Sequence, residues 1–363
     1  MRVRILVALC ASIILSVTAQ KRYAILDNDW SSTAFTVPLM ALDGGIDVLA
    51  LTDCTGDTWQ PQETLHALAI LEIGNLSCIP VVPGATWPLL QTVERFQAWQ
   101  SIHGPLVWQG AFALPNYTAE ALGSDPTGGD PNRIVPSAFV EGFPTTKAVN
   151  TTNSANYMVE MVKKYPGQVS IYAAGPLTNV ALAVRMDPTF AENAKELVIM
   201  GGYVDVELLQ ATGSLLMANL NSDINLIMDS EAANIALTAP FPNITIAGNV
   251  ANQVMSTQSF LDQVIQVNNS YSNLMYKYYG TEFPFWDETA MALLIDPSIN
   301  MNSTNVFVSV DTAYASPSYG NIHVYQKALA PPNTRSVQYV FQVNGTKLQD
   351  MIMHAVQYPP QVC

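Results

Sequence analysis

The sequence predicts one α/β domain built on an open, mainly parallel β-sheet with helices on both faces. Short runs rich in β-branched and other apolar residues alternate with longer segments of helical apolar spacing, and Gly, Asp or Asn follow many of the runs. The 363 residues, 49% of them hydrophobic, are enough to bury one large core. No internal repeat or low-complexity linker divides the sequence, so residues 20–363 are expected to form a single domain.

The predicted elements alternate from the start of this domain. An apolar run at residues 23–26 ends in Asp27-Asn28-Asp29, and helical spacing at residues 33–42 leads to the turn Asp43-Gly44-Gly45. The pattern repeats, with strands expected at 46–52, 79–82, 169–173 and 197–200 and helices at 62–73, 177–185 and 231–238. Strands separated by helical segments predict parallel pairing, because a parallel connection needs a long crossover.

The loops that follow these strands are where a ligand is expected, since open parallel sheets bind ligands beyond the carboxyl ends of their strands. Asp27 and Asp29 follow the first predicted strand, and Asp57 follows the second. An Asp-x-Asp pair at a strand end places two carboxylates on one side of the strand. They can share a hard cation or divide into a ligand and a general base, although ordinary turn or cap aspartates have the same spacing.

Residues 103–154 interrupt this regular alternation. They are rich in Gly, Pro and Asn and show little apolar periodicity. The stretch is either a solvated surface excursion or a lid over the site.

The N-terminus has the order of a secretory signal peptide. Two arginines precede an apolar run at residues 5–17, and small residues end at Ala19, so residues 1–19 are predicted to be removed. The run is shorter than the roughly 20 residues of a membrane-spanning helix, so the mature chain is expected to be secreted, with no membrane partner. Seven Asn-x-Ser/Thr sequons agree with export and are predicted glycosylation sites: Asn75, Asn116, Asn150, Asn243, Asn268, Asn302 and Asn344.

Charge and cysteine content limit the partners and the covalent links. Lys and Arg total 15 against 29 Asp and Glu, and the formal charge of −14 argues against binding a nucleic-acid polymer. Solubility alone would also explain this acidity. Cys54, Cys78 and Cys363 remain after the leader, which allows one disulfide and one free thiol in an oxidising compartment and leaves the pairing open.

Several motifs, in the correct order, resemble the inosine-uridine preferring nucleoside hydrolase family. Leu26-Asp27-Asn28-Asp29 resembles the opening motif DxDPGxDDA, and residues 174–181 resemble the GPLTNIA block. The further landmarks are residues 80–89 (PVYxGAxxPL), Ile102-His103-Gly104 (the HG loop), Met200-Gly201-Gly202 (the MGG strand end), residues 223–233 (EFN…DPEAA) and residues 286–297 (HDP…A…L.DP). The resemblance implies the α/β fold of that family and hydrolysis of the N-glycosidic bond of nucleosides.

The resemblance also implies a calcium ion at the bottom of the pocket, where it binds the ribose hydroxyls and the attacking water. Carried over by position, Asp29 is both metal ligand and general base, Asp287 is a second ligand, and Ala174 supplies a backbone carbonyl. Asp223 and Asn225 match positions that hold ribose hydroxyls, with Asp223 one methylene shorter than the usual Glu. The expected partner is thus a small-molecule nucleoside. Relatives commonly form dimers or tetramers, which makes a homo-oligomer possible.

The opening motif departs from the family at two acids. Thr33 stands in place of a ribose-binding Asp, and Ala34 stands in place of a calcium-ligating Asp. Asp57 or Asp27 is the candidate replacement ligand, because a cation would pair acids that are otherwise costly to bury. The alternative is a metal-free cluster of acids that hydrogen bonds or protonation neutralise.

Trp286 stands where many members carry a His, and this resembles the purine-selective branch of the family. An indole cannot protonate a leaving base near neutral pH, but it can stack on a purine, so a purine preference is predicted. His103 lies on the HG landmark and is a candidate substrate-binding residue. A plain hydrogen bond from His103 to loop backbone is the alternative.

These observations together predict a secreted, calcium-dependent hydrolase that cleaves ribonucleosides to free base and ribose. Two other functions stay open from the sequence. A weak or inactive relative that binds a ribosyl ligand would explain Thr33 and Ala34. A phosphohydrolase would explain the Asp-x-Asp pair, but the sequence shows no Gly-rich or cationic cradle for a phosphate.

Overall fold

A computed structural model describes residues 21–106, 108–204 and 223–363, and the predicted leader at 1–19 lies outside these ranges. The strands in the described residues are β1 Arg22–Asn28, β2 Ile46–Asp53, β3 Val81–Val82, β4 Val169–Ala173, β5 Glu196–Met200, β6 Ile244–Ala247, β7 Asn300–Val310, β8 Ile322–Tyr325 and β9 Arg335–Val343. They form one sheet in the order β3-β2-β1-β4-β5-β6-β9-β7-β8. All pairings from β3 to β9 are parallel, and β7 pairs antiparallel with β9 and β8. The predicted mainly parallel sheet is confirmed.

Helices occupy most of the crossovers between these strands. Their bounds in the described ranges are α1 Thr36–Asp43, α2 Gln60–Glu72, α3 Val93–His103, α4 Tyr117–Ala121, α5 Ser154–Lys164, α6 Thr178–Met186, α7 Phe190–Asn193, α8 Ile224–Ile227, α9 Ser230–Thr238, α10 Gln258–Val264, α11 Ser270–Tyr278, α12 Trp286–Ile295 and α13 Gly345–Gln357. The helices predicted at 62–73, 177–185 and 231–238 correspond to α2, α6 and α9 and differ from them by one or two residues at the ends.

Buried side chains of the strands divide between two apolar clusters, because successive residues of a strand point to opposite faces of the sheet. Leu26 and Tyr172 pack into one cluster together with residues of α1, α2, α12 and α13. Ile25 and Ile171 pack into the other, together with residues of α5, α6 and α9. Helices therefore cover both faces, and the ligand crevice is left at the edge where the parallel strands end.

The irregular stretch after α3 is anchored on α2 through a buried ion-pair cluster. The imidazole of His66, on α2, pairs with Glu141 and with Asp125, and its ring stacks on Phe139 at 4.1 Å between centroids. Burial by itself lowers the pKa of His66, but the two carboxylates outweigh it and raise the pKa to about 9. The cluster therefore holds a charged imidazolium at neutral pH, and the excursion packs on the domain as an ordered segment.

A disulfide joins Cys78, in the loop after α2, to Cys363 at the end of the chain. The pairing that the sequence left open is thereby assigned. Cys54 is a buried free thiol whose Sγ donates to the carbonyl of Pro176 at 3.1 Å. Within the described residues, every helix is too short or too polar to cross a membrane.

Candidate active site

The carboxyl ends of β1, β2 and β4 surround the side chain of Asp29, which is 7% exposed. A Cβ at Gly56 would lie 2.2 Å from Asp29 Oδ2, and a Cβ at Gly175 would lie 3.1 Å from Oδ1. Both positions therefore need glycine for this carboxylate to fit between the strand ends. The backbone N–H of Asp57 donates to Asp29 Oδ2 at 3.0 Å and orients the group.

Three carboxylates crowd this edge and repel one another. Burial, followed by the charges of Asp57 and Asp287, raises the pKa of Asp29 well above its ordinary value. Burial raises the pKa of Asp57 to about 6. Burial, with the charge of Glu288 next in importance, raises the pKa of Asp287 well above its ordinary value. Like charges in a buried site cannot all stay ionised without compensation, so the cluster has to bind either protons or a cation.

Asn28, the residue between the two aspartates of the first motif, reaches across to Asp287. Its Nδ2 donates to Asp287 Oδ2 at 2.9 Å, and its Oδ1 is buried without a hydrogen-bond partner in the described part of the chain. The hydroxyl of Tyr172 donates to the carbonyl of Asp287 at 3.0 Å and fixes the start of α12. The orphaned Asn28 Oδ1 is a hard oxygen still able to coordinate a cation.

Asp27 mainly holds the strand ends together. Its Oδ1 accepts from Thr52 Oγ1 at 2.6 Å and from Asn179 Nδ2 at 2.8 Å, and burial raises its pKa to about 6. Both lone pairs of that oxygen are used, which leaves Oδ2 as the atom able to meet a ligand. The neighbouring Asp53 is likewise held by hydrogen bonds, from the side chains of Gln60 and Thr64 and the backbone of Gly84.

The chemistry of the donors at this edge fits a hard divalent cation. Across the residues that the structure describes, no three His, Cys, Asp or Glu side chains already stand in a metal-binding arrangement. The available atoms are nevertheless those that Ca²⁺ prefers, namely carboxylate, amide and carbonyl oxygens. They belong to Asp29, Asp57, Asp287, Asn28 and the backbone of Ala174.

The two acids missing from the first motif are replaced by residues of other character. Ala34 is 9% exposed and belongs to the same apolar cluster as Trp30 and Phe35. The hydroxyl of Thr33 lies 3.4 Å from Ser31 Oγ. The position at which the resemblance implies a charged ligand is therefore part of the hydrophobic core in this chain.

The two residues predicted to hold ribose lie at the ends of the central strands. Asn225 Nδ2 donates to the carbonyl of Ala174 at 2.8 Å and to that of Met200 at 3.3 Å, which bridges β4 and β5. The Ala174 carbonyl keeps a second lone pair. Asp223 caps α8 through the N–H of Leu226 at 3.3 Å, and burial raises its pKa to about 7. Both side chains are buried, and Asn225 contacts the carbonyl of Ala174 directly.

Trp286 and His103 have different surroundings. Trp286 begins α12, is half-buried, and its Nε1 donates to Asn252 Oδ1 at 2.6 Å, next to the acidic Asp287. His103 ends α3, and its ring lies 5.0 Å from that of Trp99. Its Nε2 is buried, and no described residue forms a hydrogen bond with it. In the described ranges no hydrogen bond joins His103 to the carboxylates, so its substrate role stays a prediction.

Three residues of the site were not singled out from the sequence. Trp108, in the excursion, donates from Nε1 to Asp57 Oδ1 at 2.8 Å although half of its side chain is exposed. Asn28 and Asn252 each carry one buried polar atom that has no hydrogen-bond partner within the described ranges. The only sequence signal was position, because Asn28 lies inside the Asp-x-Asp motif and Trp108 lies in the stretch considered as a lid.

Residues 24–350 match the family model described as inosine-uridine preferring nucleoside hydrolase. The chain belongs to this family. The uncharacterized protein C800.11 of Schizosaccharomyces pombe (strain 972) is 36% identical over 323 residues, which is 85% of this chain and 77% of that protein. Probable uridine nucleosidase 1 of Oryza sativa subsp. japonica is 31% identical over 62% of this chain and 56% of its own length.

The solved structure of the plant nucleoside hydrolase PpNRh1 superposes on this family member with a TM-score of 0.70 and 22% identity. The superposition covers 93% of this chain and 99% of the plant chain. At this identity the likeness shows the nucleoside hydrolase fold, in agreement with the family resemblance of the motifs. The phosphohydrolase alternative is not favoured.

Proposed function

We propose that this chain hydrolyses the N-glycosidic bond of ribonucleosides to free base and ribose, with Asp29 as the general base. The observation that carries the proposal is the Asp29 carboxylate, held between Gly56 and Gly175 beside the acids Asp57 and Asp287. This arrangement lies at the ligand-binding edge of a nucleoside hydrolase fold. The family membership supports the reaction class, and the polar groups around Asp29 support its role.

The residues of the chain divide the work of hydrolysis. Asp29, in its ionised form, accepts a proton from water. The N–H of Asp57 holds one carboxylate oxygen in place while this happens. In this proposal, Asp223 and the Oδ1 of Asn225 accept hydrogen bonds from the ribose hydroxyls. The C1′–N bond breaks with its electron pair on the base, and the ribose takes on oxocarbenium character.

We propose calcium as the cofactor. Asp29, Asp57 and Asp287 would hold it, with Asn28 Oδ1 and the Ala174 carbonyl completing an all-oxygen set. When bound, the ion supplies positive charge that acidifies water and orients the ribose diol. The same charge would offset the repulsion among the three carboxylates and allow them to stay ionised in a buried site.

We propose a preference for purine nucleosides. The indole of Trp286 is too weak an acid to protonate the leaving base, so a base that leaves readily after stacking on the indole is favoured. We expect kcat/KM for inosine to exceed that for uridine by about 100-fold, the lower end of the range for general-acid effects. In the variant Trp286→His, a proton donor returns and the ratio should move toward uridine. A faster reaction with uridine in the unaltered enzyme would refute the base preference, and hydrolysis itself would stand.

We propose that the mature chain is a secreted glycoprotein. All seven sequon asparagines are exposed, and the Cys78–Cys363 disulfide suits an oxidising compartment. Protein secreted from a eukaryotic host should lose mass on treatment with peptide N-glycosidase. The same treatment should leave a variant with Gln at all seven positions unchanged. Retention of the chain inside the cell, or an unchanged mass, would contradict this proposal.

A further inference from the structure

The buried side-chain amide of Asn252 lies next to Trp286. Its oxygen accepts a hydrogen bond, and its NH₂ group has no partner among the described residues. Asn252 ends the 3₁₀ turn Asn249–Asn252 that follows β6, so it lies at the same carboxyl edge as the acidic cluster. The residue is 5% exposed. Its Oδ1 accepts from Trp286 Nε1 at 2.6 Å, and Trp286 directly precedes Asp287.

The orientation of this amide follows from the chemistry of its neighbour. An indole N–H only donates, so the oxygen of Asn252 has to face Trp286 and the NH₂ group has to face away. The hydroxyl of Tyr203 lies 3.5 Å from the same oxygen, which agrees with this orientation. Asn252 Nδ2 is buried and has no hydrogen-bond partner among the residues that the structure describes. Such orphaned buried donors are uncommon, and an acceptor on a ligand would satisfy this one.

The leaving base supplies such an acceptor. When the C1′–N bond breaks, the bonding electrons stay on the base, and its ring nitrogens and carbonyl oxygens gain negative charge. Trp286 occupies the position at which many relatives have a His. Its indole cannot donate a proton to neutralise that charge. A fixed neutral donor is the group that stabilises the departing base without adding charge.

We infer that Asn252 donates a hydrogen bond from Nδ2 to the departing nucleobase, and that Trp286 holds the amide in the orientation this requires. The inference rests on the proposed hydrolase function. The hydrogen bond from Asn252 involves no proton transfer, so the proton balance of the hydrolysis is unchanged. Asp29 takes one proton from water, the water oxygen bonds to C1′, and the base takes its proton from solvent while Asn252 keeps both of its own. Asn252 acts on the rate of bond cleavage and leaves the attack of water unaffected.

The variant Asn252→Asp tests this role. Aspartate keeps an oxygen to accept from Trp286 and replaces the NH₂ group by a second oxygen of the same size. Two substrates are compared: inosine, and p-nitrophenyl riboside, whose leaving group departs without help. We expect kcat/KM for inosine to fall about 100-fold, the scale of losing one donor to a developing anion. The rate with p-nitrophenyl riboside should change by less than about threefold, because the ribose and water sites are intact.

Asn305→Asp is the matched control, since Asn305 is exposed on β7 away from the carboxyl edge and the substitution adds the same charge. It should leave both rates unchanged. Equal losses on the two substrates in Asn252→Asp, or no loss on either, would overturn the inference.

If circular dichroism shows that this variant does not fold, a second experiment uses the unaltered enzyme. It measures inhibition by inosine analogues that lack N3 or N7. If the two analogues bind as tightly as inosine itself, the inference is likewise overturned. Failure of the unaltered enzyme to cleave either substrate would refute the proposed function itself, and the role of Asn252 with it.

Discussion

Replacing Asp29 by Asn is expected to lower kcat/KM for nucleosides by about 10³- to 10⁴-fold, the upper range for removal of a general base. The amide has the size of the carboxylate, so the cradle of Gly56 and Gly175 can still hold it. It cannot accept a proton from water, and it brings no charge to a cation. Steady-state rates of base release from inosine, in the presence of calcium, measure the effect.

Asp53→Asn is the matched control for this variant. Asp53 is a buried carboxylate at the same sheet edge, with a pKa that burial raises to about 7, but its oxygens accept from Gln60, Thr64 and Gly84. We expect this substitution to lower the melting temperature and to leave kcat/KM per folded molecule within about tenfold of the original. Full activity of Asp29→Asn, or an equal loss in both variants, would show that Asp29 is not the base.

Removal of divalent cations is expected to abolish hydrolysis and to make the stability of the protein fall as the pH rises. The pKa values of Asp29, Asp57 and Asp287 are all raised in the folded chain, to about 6 for Asp57. A carboxyl whose folded pKa exceeds its unfolded pKa contributes stability that is full below the unfolded value, near pH 4. That contribution is lost as the pH rises through the folded value. Without a cation, these acids therefore favour folding at pH 4 and oppose it at pH 7.

The measurement is a series of thermal melts from pH 4.5 to 7.5, after chelation and again with added calcium. For Asp57 alone, a rise of about two pKa units corresponds to roughly 3 kcal/mol, which is several degrees in melting temperature. Asp27 and Asp223 have raised pKa values of the same sign, so the calcium-dependent difference is the quantity to compare. Calcium should remove most of the decline in the unaltered chain and less of it in Asp287→Asn. Identical melts and undiminished activity after chelation would refute the metal site.

The parallel sheet was predictable from the sequence because its strands are short, buried on both faces and separated by amphipathic helices. The prediction for β4 at residues 169–173 matches its observed bounds. The antiparallel β7, β8 and β9 were not anticipated. The first half of β7 is rich in exposed Asn, Ser and Thr, so it lacks the apolar run by which a strand is recognised in a sequence. Its pairing with β9 depends on contacts distant in sequence, which local pattern does not report.

The site shows the same division. The sequence predicted Asp27, Asp29 and Asp57 at one edge because each follows a predicted parallel strand. Asp287 was predicted only from the family resemblance, because it lies on a helix far along the chain. The hydrogen-bond partners of Asn28, Trp108 and Asn252 could not be predicted from the sequence. Each depends on which atom of a side chain finds a donor or an acceptor in the folded molecule. An unpaired atom is a property of the tertiary structure alone.

The most direct test of the account is the fate of the oxygen atom when the purified protein acts on inosine in H₂¹⁸O with calcium. The account predicts free hypoxanthine without label and free ribose that carries one ¹⁸O at C1, formed without any need for phosphate. Because free ribose slowly exchanges that oxygen, the product has to be trapped by immediate reduction and compared with ribose incubated alone. No release of base, or release that requires phosphate and yields a ribose phosphate, would contradict hydrolysis by water at this site.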